Sequence, residues 1–219
     1  MSYDLYVVTD DKLSNGLSHV EVARLSYEGG ADIVQLRVKD DDPRFLDWAK
    51  EISAISKSYG RTFIVNDSVD IALRSGADGV HVGQGDTPVQ DVRKFVPEDF
   101  IIGVSVGNAE EAMIAEENGA TYVALSPIFD TASKDDAGHG HGLKVLSEIR
   151  DAVGIPVIAI GGINKSNTPD VIRAGADGVA VISAVVSQPD VSAAARELRG
   201  IVVNAKSGSR RGPRSEPNP

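Results

Sequence analysis

The segment Gly30-Ala31-Asp32-Ile33-Val34-Gln35-Leu36-Arg37-Val38-Lys39 sets the pattern that the rest of the chain repeats. Ile33, Val34, Leu36 and Val38 supply the β-branched and aliphatic content of a buried strand, while Gln35, Arg37 and Lys39 fall on every second residue. Side chains two apart in a strand share a face, so one amide and two cations point the same way. Taken alone, this fits either a strand that holds an anion or an edge strand whose polar face meets water.

The Gly-Ala-Asp that opens the segment recurs. Gly76-Ala77-Asp78, Gly119-Ala120-Thr121 and Gly175-Ala176-Asp177 follow at intervals of 46, 43 and 56 residues, each between the end of a helical pattern and the start of a strand. Each interval has the length of one or two strand–helix units. Working outward, apolar strands are predicted over 5–9, 62–65, 79–82, 100–104, 122–125, 156–160 and 178–182, besides the opening segment. Helices are predicted over 18–28, from Asp42 and Pro43 onward, and over 69–74, 88–95, 108–118, 143–152, 169–174 and 191–198. Nearly all-apolar strands joined by helices are buried parallel strands. Eight such units in roughly 200 residues close as a single α/β domain, a (β/α)8 TIM barrel over residues 1–205, with a doubly wound open sheet as the alternative. The basic segment 206–219 has no apolar periodicity and is expected to be a disordered tail.

The composition excludes several classes of function. The 219 residues include no cysteine, which rules out disulfides, thiolate metal sites and a Cys nucleophile. A net charge of -10 argues against non-specific binding to nucleic acid or to an anionic membrane. No apolar run approaches the ~20 residues of a membrane span, and the N-terminus has no charged-then-apolar leader, so cytoplasmic residence is expected. Small-molecule substrates are the expected partners, and a homo-oligomer is compatible with the sequence.

In a barrel, the loops that follow the strands build the active site. Asp10, Gln35, Arg37, Lys39, Asn66, Asp67, Asp86, Ser105, Thr131, Ser133, Lys134, Gly161, Gly162, Ile182 and Ser183 all fall at predicted strand ends, so they gather at one mouth. That placement turns Gln35, Arg37 and Lys39 from an ambiguous edge into an anion site. Asp67 and Asp86 are hard oxygen ligands spaced to share one Mg2+ across adjacent loops, or else they cap the helices that follow. Gly161-Gly162-Ile163-Asn164 and Ile182-Ser183 occupy the position where barrels commonly bind a phosphate; a plain glycine turn is the alternative.

Several segments together resemble the thiamine phosphate synthase family. They are Leu5 to Asp10, Gln35 to Lys39, Val65-Asn66-Asp67, Gly79 to Asp86, Ile102 to Ser105, Pro127 to Lys134 and Ala159 to Ile163. The resemblance implies a barrel that joins hydroxymethylpyrimidine diphosphate to a thiazole phosphate, releasing pyrophosphate with Mg2+. It implies that Gln35, Leu36, Arg37, Val38, Lys39, Asn66, Ser105 and Lys134 hold the pyrimidine diphosphate, and that Asp67 and Asp86 hold Mg2+. Thr131, Ala132, Ser133, Gly162, Ile182 and Ser183 would hold the thiazole phosphate, with Arg37, Lys39 and Lys134 carrying the catalytic demand.

The chain departs from the family pattern at Ser126, where Gly is usual, at Asp130, where Pro is common, and at Ser133, where Thr is frequent. The loop before the sixth helix also carries His139 and His141, a His-x-His pair able to bind metal but expected to be solvent-exposed. His19 and His81 are expected to be structural. A thiazole tautomerase of the same superfamily and a non-catalytic thiazole phosphate-binding protein are the alternative functions.

Overall fold

Eight parallel strands pair each with the next, and β8 with β1, so the sheet closes on itself. In this computed structural model the described residues are 1–39, 42–130 and 139–208. The strands are β1 (Leu5–Val8), β2 (Ile33–Leu36), β3 (Thr62–Asn66), β4 (Gly79–Val82), β5 (Ile101–Val106), β6 (Tyr122–Leu125), β7 (Val157–Ile160) and β8 (Gly178–Val181). Around them lie α1 (His19–Glu28), α2 (Phe45–Tyr59), α3 (Val69–Ser75), α4 (Val89–Phe95), α5 (Ala109–Glu117), α6 (Gly142–Ala152), α7 (Thr168–Arg173), a one-turn α8 (Ser183–Val186) and α9 (Val191–Gly208). The predicted single (β/α)8 barrel is therefore the fold. No helix among the described residues is long and apolar enough to cross a membrane.

The Gly-Ala-Asp/Thr repeat has a physical reason at each copy. Gly30, Gly76, Gly119 and Gly175 all have positive φ, between 68° and 113°, where a side chain would be strained. The alanine after each glycine donates its N–H back into the helix just ended, to Ser26 O, Ala72 O, Ala115 O and Val171 O. The third function belongs to the polar residue. Asp32 Oδ2 accepts the N–H of Leu5, Asp78 Oδ2 that of Phe63, Thr121 Oγ1 that of Ile102, and Asp177 Oδ2 that of Val157, at 2.8–3.1 Å. Each polar residue returns its own N–H to the carbonyl of the same partner, at 2.7–2.9 Å. One copy thus ends a helix, starts an even strand and ties it to the preceding odd strand, which fixes the pairs β1–β2, β3–β4, β5–β6 and β7–β8.

Two elements run differently from the sequence expectation. The short α8 follows β8 directly and has too few residues to show a period. The last helix, expected to end at Leu198, continues to Gly208, and residues 206–208 belong to it rather than to a tail. Its extension is held by ions: Lys206 Nζ pairs with Asp4, and Arg199 reaches both Asp32 and Asp4.

Asp32 is the centre of this closure at the end of the barrel where the strands begin. It is almost fully buried and accepts from Arg61 Nη1 at 2.7 Å and from Arg199 Nε and Nη2 at 3.2 Å, besides the Leu5 N–H. Asp32→Ala should lower stability by about 2–4 kcal/mol, since it strands a buried backbone donor while leaving two partly exposed cations that water can reach. Urea unfolding checks this: the midpoint should fall with the slope unchanged, and Asp32→Asn, which keeps an acceptor oxygen, should fall by less.

Candidate active site at the C-terminal mouth

The ends of β1 and β2 lie side by side, Val8 opposite Gln35, and Thr9 N–H donates to Gln35 O at 2.9 Å. Arg37 follows β2. Its guanidinium Nη1 sits 3.3 Å from Asp10 Oδ2, with only 9% and 6% of the two side chains exposed. The other Asp10 oxygen accepts the N–H groups of Lys12 and Leu13 at 3.1 and 3.0 Å, so the carboxylate is built into its own turn. Thr9 Oγ1 accepts the Arg37 N–H at 3.2 Å and lies 2.7 Å from His19 Nδ1. Burial holds His19 below the usual histidine range, which favours its neutral ring in this contact. His19, expected to be structural, therefore touches the hydroxyl that holds the backbone of Arg37. Gln35 and Leu36 are buried, Val38 is half-buried and Lys39 is exposed.

Asn66 closes β3, and its Nδ2 donates to Asp67 Oδ2 at 2.6 Å. Asp67 has a φ of 62°, a left-handed conformation that Asp tolerates better than most residues, and its N–H donates to His81 O at 2.8 Å. The helix-cap alternative fails for both carboxylates. Ser68, not Asp67, caps α3 by accepting from Ile71 N–H, and Pro88 occupies the N-cap position of α4. Asp86 is instead fixed by Gly83 N–H, which donates to its Oδ2 at 2.7 Å. Two exposed carboxylates thus stand on the loops after adjacent strands β3 and β4. The described residues hold no cluster of three or more metal-ligating side chains. A pair of carboxylates fits Mg2+, which takes one or two carboxylates, keeps several waters and completes its shell with phosphate oxygens.

Across the mouth, Gly161 and Gly162 have φ values of 103° and 65°. A Cβ on Gly161 would come within 2.5 Å of Pro127 Cβ, and one on Gly162 within 2.7 Å of Phe129 Cβ. Phe129 N–H donates to Gly161 O at 3.1 Å and Ile128 N–H to Ile160 O at 2.8 Å. These glycines therefore let the loop leaving β6 lie directly on the turn after β7. Thr131, Ala132, Ser133 and Lys134, predicted from the sequence to act in this loop, lie outside the described residues. Ile182 is buried and Ser183 exposed, at the junction of β8 and α8. His139 is fully exposed, 3.8 Å from Asp130, and His141 precedes α6.

Sequence reasoning read Tyr6 and Tyr122 only as strand residues and His81 as structural. In the structure, Gln35 Nε2 donates to Tyr6 OH at 2.7 Å and His81 Nε2 lies 2.9 Å from Ser105 Oγ, so these residues touch the site from beneath. A depression at the opposite end of the barrel, lined by Asp32, Arg61, Thr62, Asp78 and Ile101 among others, has a volume of about 450 Å³. It holds the strand-start ion pairs and none of the predicted site residues.

A closed parallel barrel with cations and carboxylates converging at the C-terminal mouth is an enzyme built to handle an anionic, phosphorylated ligand. Residues 5–185 match the family described as thiamine monophosphate synthase, and the chain belongs to that family. It is 56% identical over 207 residues to the thiamine-phosphate synthase of Methanoregula boonei, covering 94% of this chain and 96% of that one. To the enzyme of the same name from Methanocella arvoryzae it is 56% identical over 203 residues, covering 92% and 96%. The solved structure of thiamine phosphate pyrophosphorylase from Pyrococcus furiosus superposes with a TM-score of 0.85 at 42% identity, covering 92% of this chain and 96% of that one.

Proposed function

We propose that the protein is a thiamine-phosphate synthase that condenses 4-amino-2-methyl-5-hydroxymethylpyrimidine diphosphate with a thiazole phosphate, giving thiamine phosphate and pyrophosphate. The observation that carries the reading onto this chain is Arg37, anchored by Asp10 and Thr9 at the mouth just beyond the strand that carries Gln35, within a chain of this family.

Gln35, Leu36, Arg37, Val38, Lys39, Asn66, Ser105 and Lys134 hold the pyrimidine diphosphate. Leu36 is fully buried in the packed core, so its contribution is through the backbone. Thr131, Ala132, Ser133, Gly162, Ile182 and Ser183 hold the thiazole phosphate, a placement supported by the close packing of the β6 and β7 loops and by the short helix directly after β8. The bond from the pyrimidine methylene to the diphosphate oxygen breaks first. Arg37, Lys39 and Lys134 stabilise the charge that develops on the departing diphosphate, and the amino-substituted ring stabilises the cation left behind. The thiazole nitrogen then attacks with its free lone pair, so no general base is needed. Asp67 and Asp86 hold Mg2+, which when bound supplies charge neutralisation to the diphosphate oxygens.

Incubating the protein with both substrates and Mg2+ should yield thiamine phosphate and one equivalent of pyrophosphate. Aromatisation of the thiazole without condensation would instead assign the tautomerase activity, and Mg2+-independent binding without turnover would assign the non-catalytic role.

A further inference from the structure

Where β1 and β2 part, the ladder between them ends on a side chain. Thr9 N–H donates to Gln35 O at 2.9 Å, and a regular parallel ladder would next send the Arg37 N–H to Thr9 O. It goes instead to Thr9 Oγ1, at 3.2 Å. Arg37, the first residue beyond β2, is thus tied to the neighbouring strand through a hydroxyl that a χ1 rotation would withdraw. Its other tie is long, with Nη1 reaching Asp10 Oδ2 at 3.3 Å, so it does not fix the backbone by itself.

His19 meets the same hydroxyl. Its Nδ1 lies 2.7 Å from Thr9 Oγ1, shorter than either tie to Arg37. A hydroxyl has one proton and two lone pairs, so Thr9 satisfies the Arg37 N–H and the ring nitrogen together, whichever of hydroxyl and ring supplies the proton between them. Thr9 is fully buried, so water does not replace a lost partner. The ring is itself held in place. Ser18 and Glu21 cap α1 reciprocally, which sets the backbone on which His19 is the first helical residue. Trp48 packs on the ring with centroids 4.9 Å apart and carries Arg44 Cζ 4.5 Å over its own ring. Arg44 in turn donates to Asp42 from Nε at 3.0 Å and from Nη2 at 2.7 Å. Contacts that start on α2 therefore pass through α1 and end on the backbone of Arg37.

We propose that His19 is a positioning residue for the condensation: it holds the Thr9 hydroxyl toward the Arg37 N–H, and so fixes where the guanidinium meets the departing diphosphate. It acts through Thr9 and Arg37, not on the substrate. This inference rests on the assignment of Arg37 to the diphosphate.

Two substitutions divide the contacts of the ring. His19→Phe keeps a ring against Trp48 and removes the nitrogen, whereas His19→Asn gives up the stacking and returns a polar atom to the Nδ1 position. In His19→Phe, kcat/KM for the pyrimidine diphosphate should fall about tenfold, and His19→Asn should recover most of that loss, with the thiazole phosphate KM unchanged in both. In an Arg37→Ala background the same His19→Phe change should cost less than about twofold, because the group it positions is gone. An equal loss in both backgrounds, a loss that His19→Asn does not relieve, or no loss at all overturns the proposal. If Arg37→Ala itself leaves kcat/KM unchanged, the assignment of Arg37 is wrong and the inference falls with it. If Arg37→Ala is impaired and His19→Phe is not, only the positioning role is wrong. Hydrogen exchange in the unmodified protein tests the contact even where His19→Phe does not fold. The Arg37 amide should exchange as slowly as the amides of β2, and exchange at the rate of an open loop overturns the proposal.

Discussion

Arg37→Ala is expected to lower kcat/KM for the pyrimidine diphosphate by about 10³-fold while leaving the barrel folded. The size follows from where the charge appears. As the diphosphate departs, negative charge grows on oxygens that a guanidinium meets with two parallel N–H donors, and a charge-assisted pair is worth more there than in water. The geometry is already set before substrate arrives, because Asp10 and Thr9 hold the side chain and backbone of Arg37. The same anchoring limits the structural damage. Asp10 keeps the N–H groups of Lys12 and Leu13 when the guanidinium is removed, so the carboxylate is not left without donors, and the loss of stability should be about 1–2 kcal/mol. Arg37→Lys should recover only part of the rate, since it restores the charge without the fork. Steady-state kinetics alongside urea unfolding tests both halves; a variant that unfolds would make Arg37–Asp10 a structural pair.

The architecture was legible because the repeat carries it. Gly at positive φ, Ala returning its N–H to the helix and Asp or Thr tying the next strand to the one before are three local requirements met by three adjacent residues, so they leave a mark at fixed spacing. The strand-end polar residues were legible for a related reason: apolar strands make a terminal Asn, Asp or Ser conspicuous. What the sequence hid depends on closure. Tyr6 and Tyr122 are 116 residues apart, and nothing local says that their hydroxyls meet at 2.9 Å. His81 sits in a strand with alternating apolar neighbours, where its two ring contacts on β5 and β6 leave no pattern. Gly161 and Gly162 were conspicuous as a phosphate-type turn, yet their closest constraint is the approach of Pro127 and Phe129, visible only once β6 and β7 are side by side. The length of α9 was underestimated although its extension keeps an apolar face, with Val202 fully buried and Ala205 packed on the core; the ion pairs of Arg199 with Asp32 and of Lys206 with Asp4, which secure it further, bring together residues far apart in the sequence.

Asp86→Asn should lower kcat by about 10²-fold and raise the Mg2+ concentration needed for half-maximal rate, with little change in stability. Asp86 is exposed, and an Asn oxygen can still accept the Gly83 N–H that fixes the turn, so the substitution removes charge from the proposed metal site without removing the turn. Asp67→Asn should act in the same direction, since Asp67 stands on the neighbouring loop and is aimed by its left-handed backbone and by Asn66. Two carboxylates are a thin donor set for Mg2+, so the protein alone should bind the ion weakly, and pyrophosphate should tighten binding by supplying the remaining oxygens. Calorimetric titration of Mg2+ with and without pyrophosphate measures that coupling, which both variants should reduce. Mg2+ affinity unaffected by pyrophosphate, or wild-type turnover after chelation, would remove Asp67 and Asp86 from the reaction and leave the diphosphate to the cations Arg37, Lys39 and Lys134.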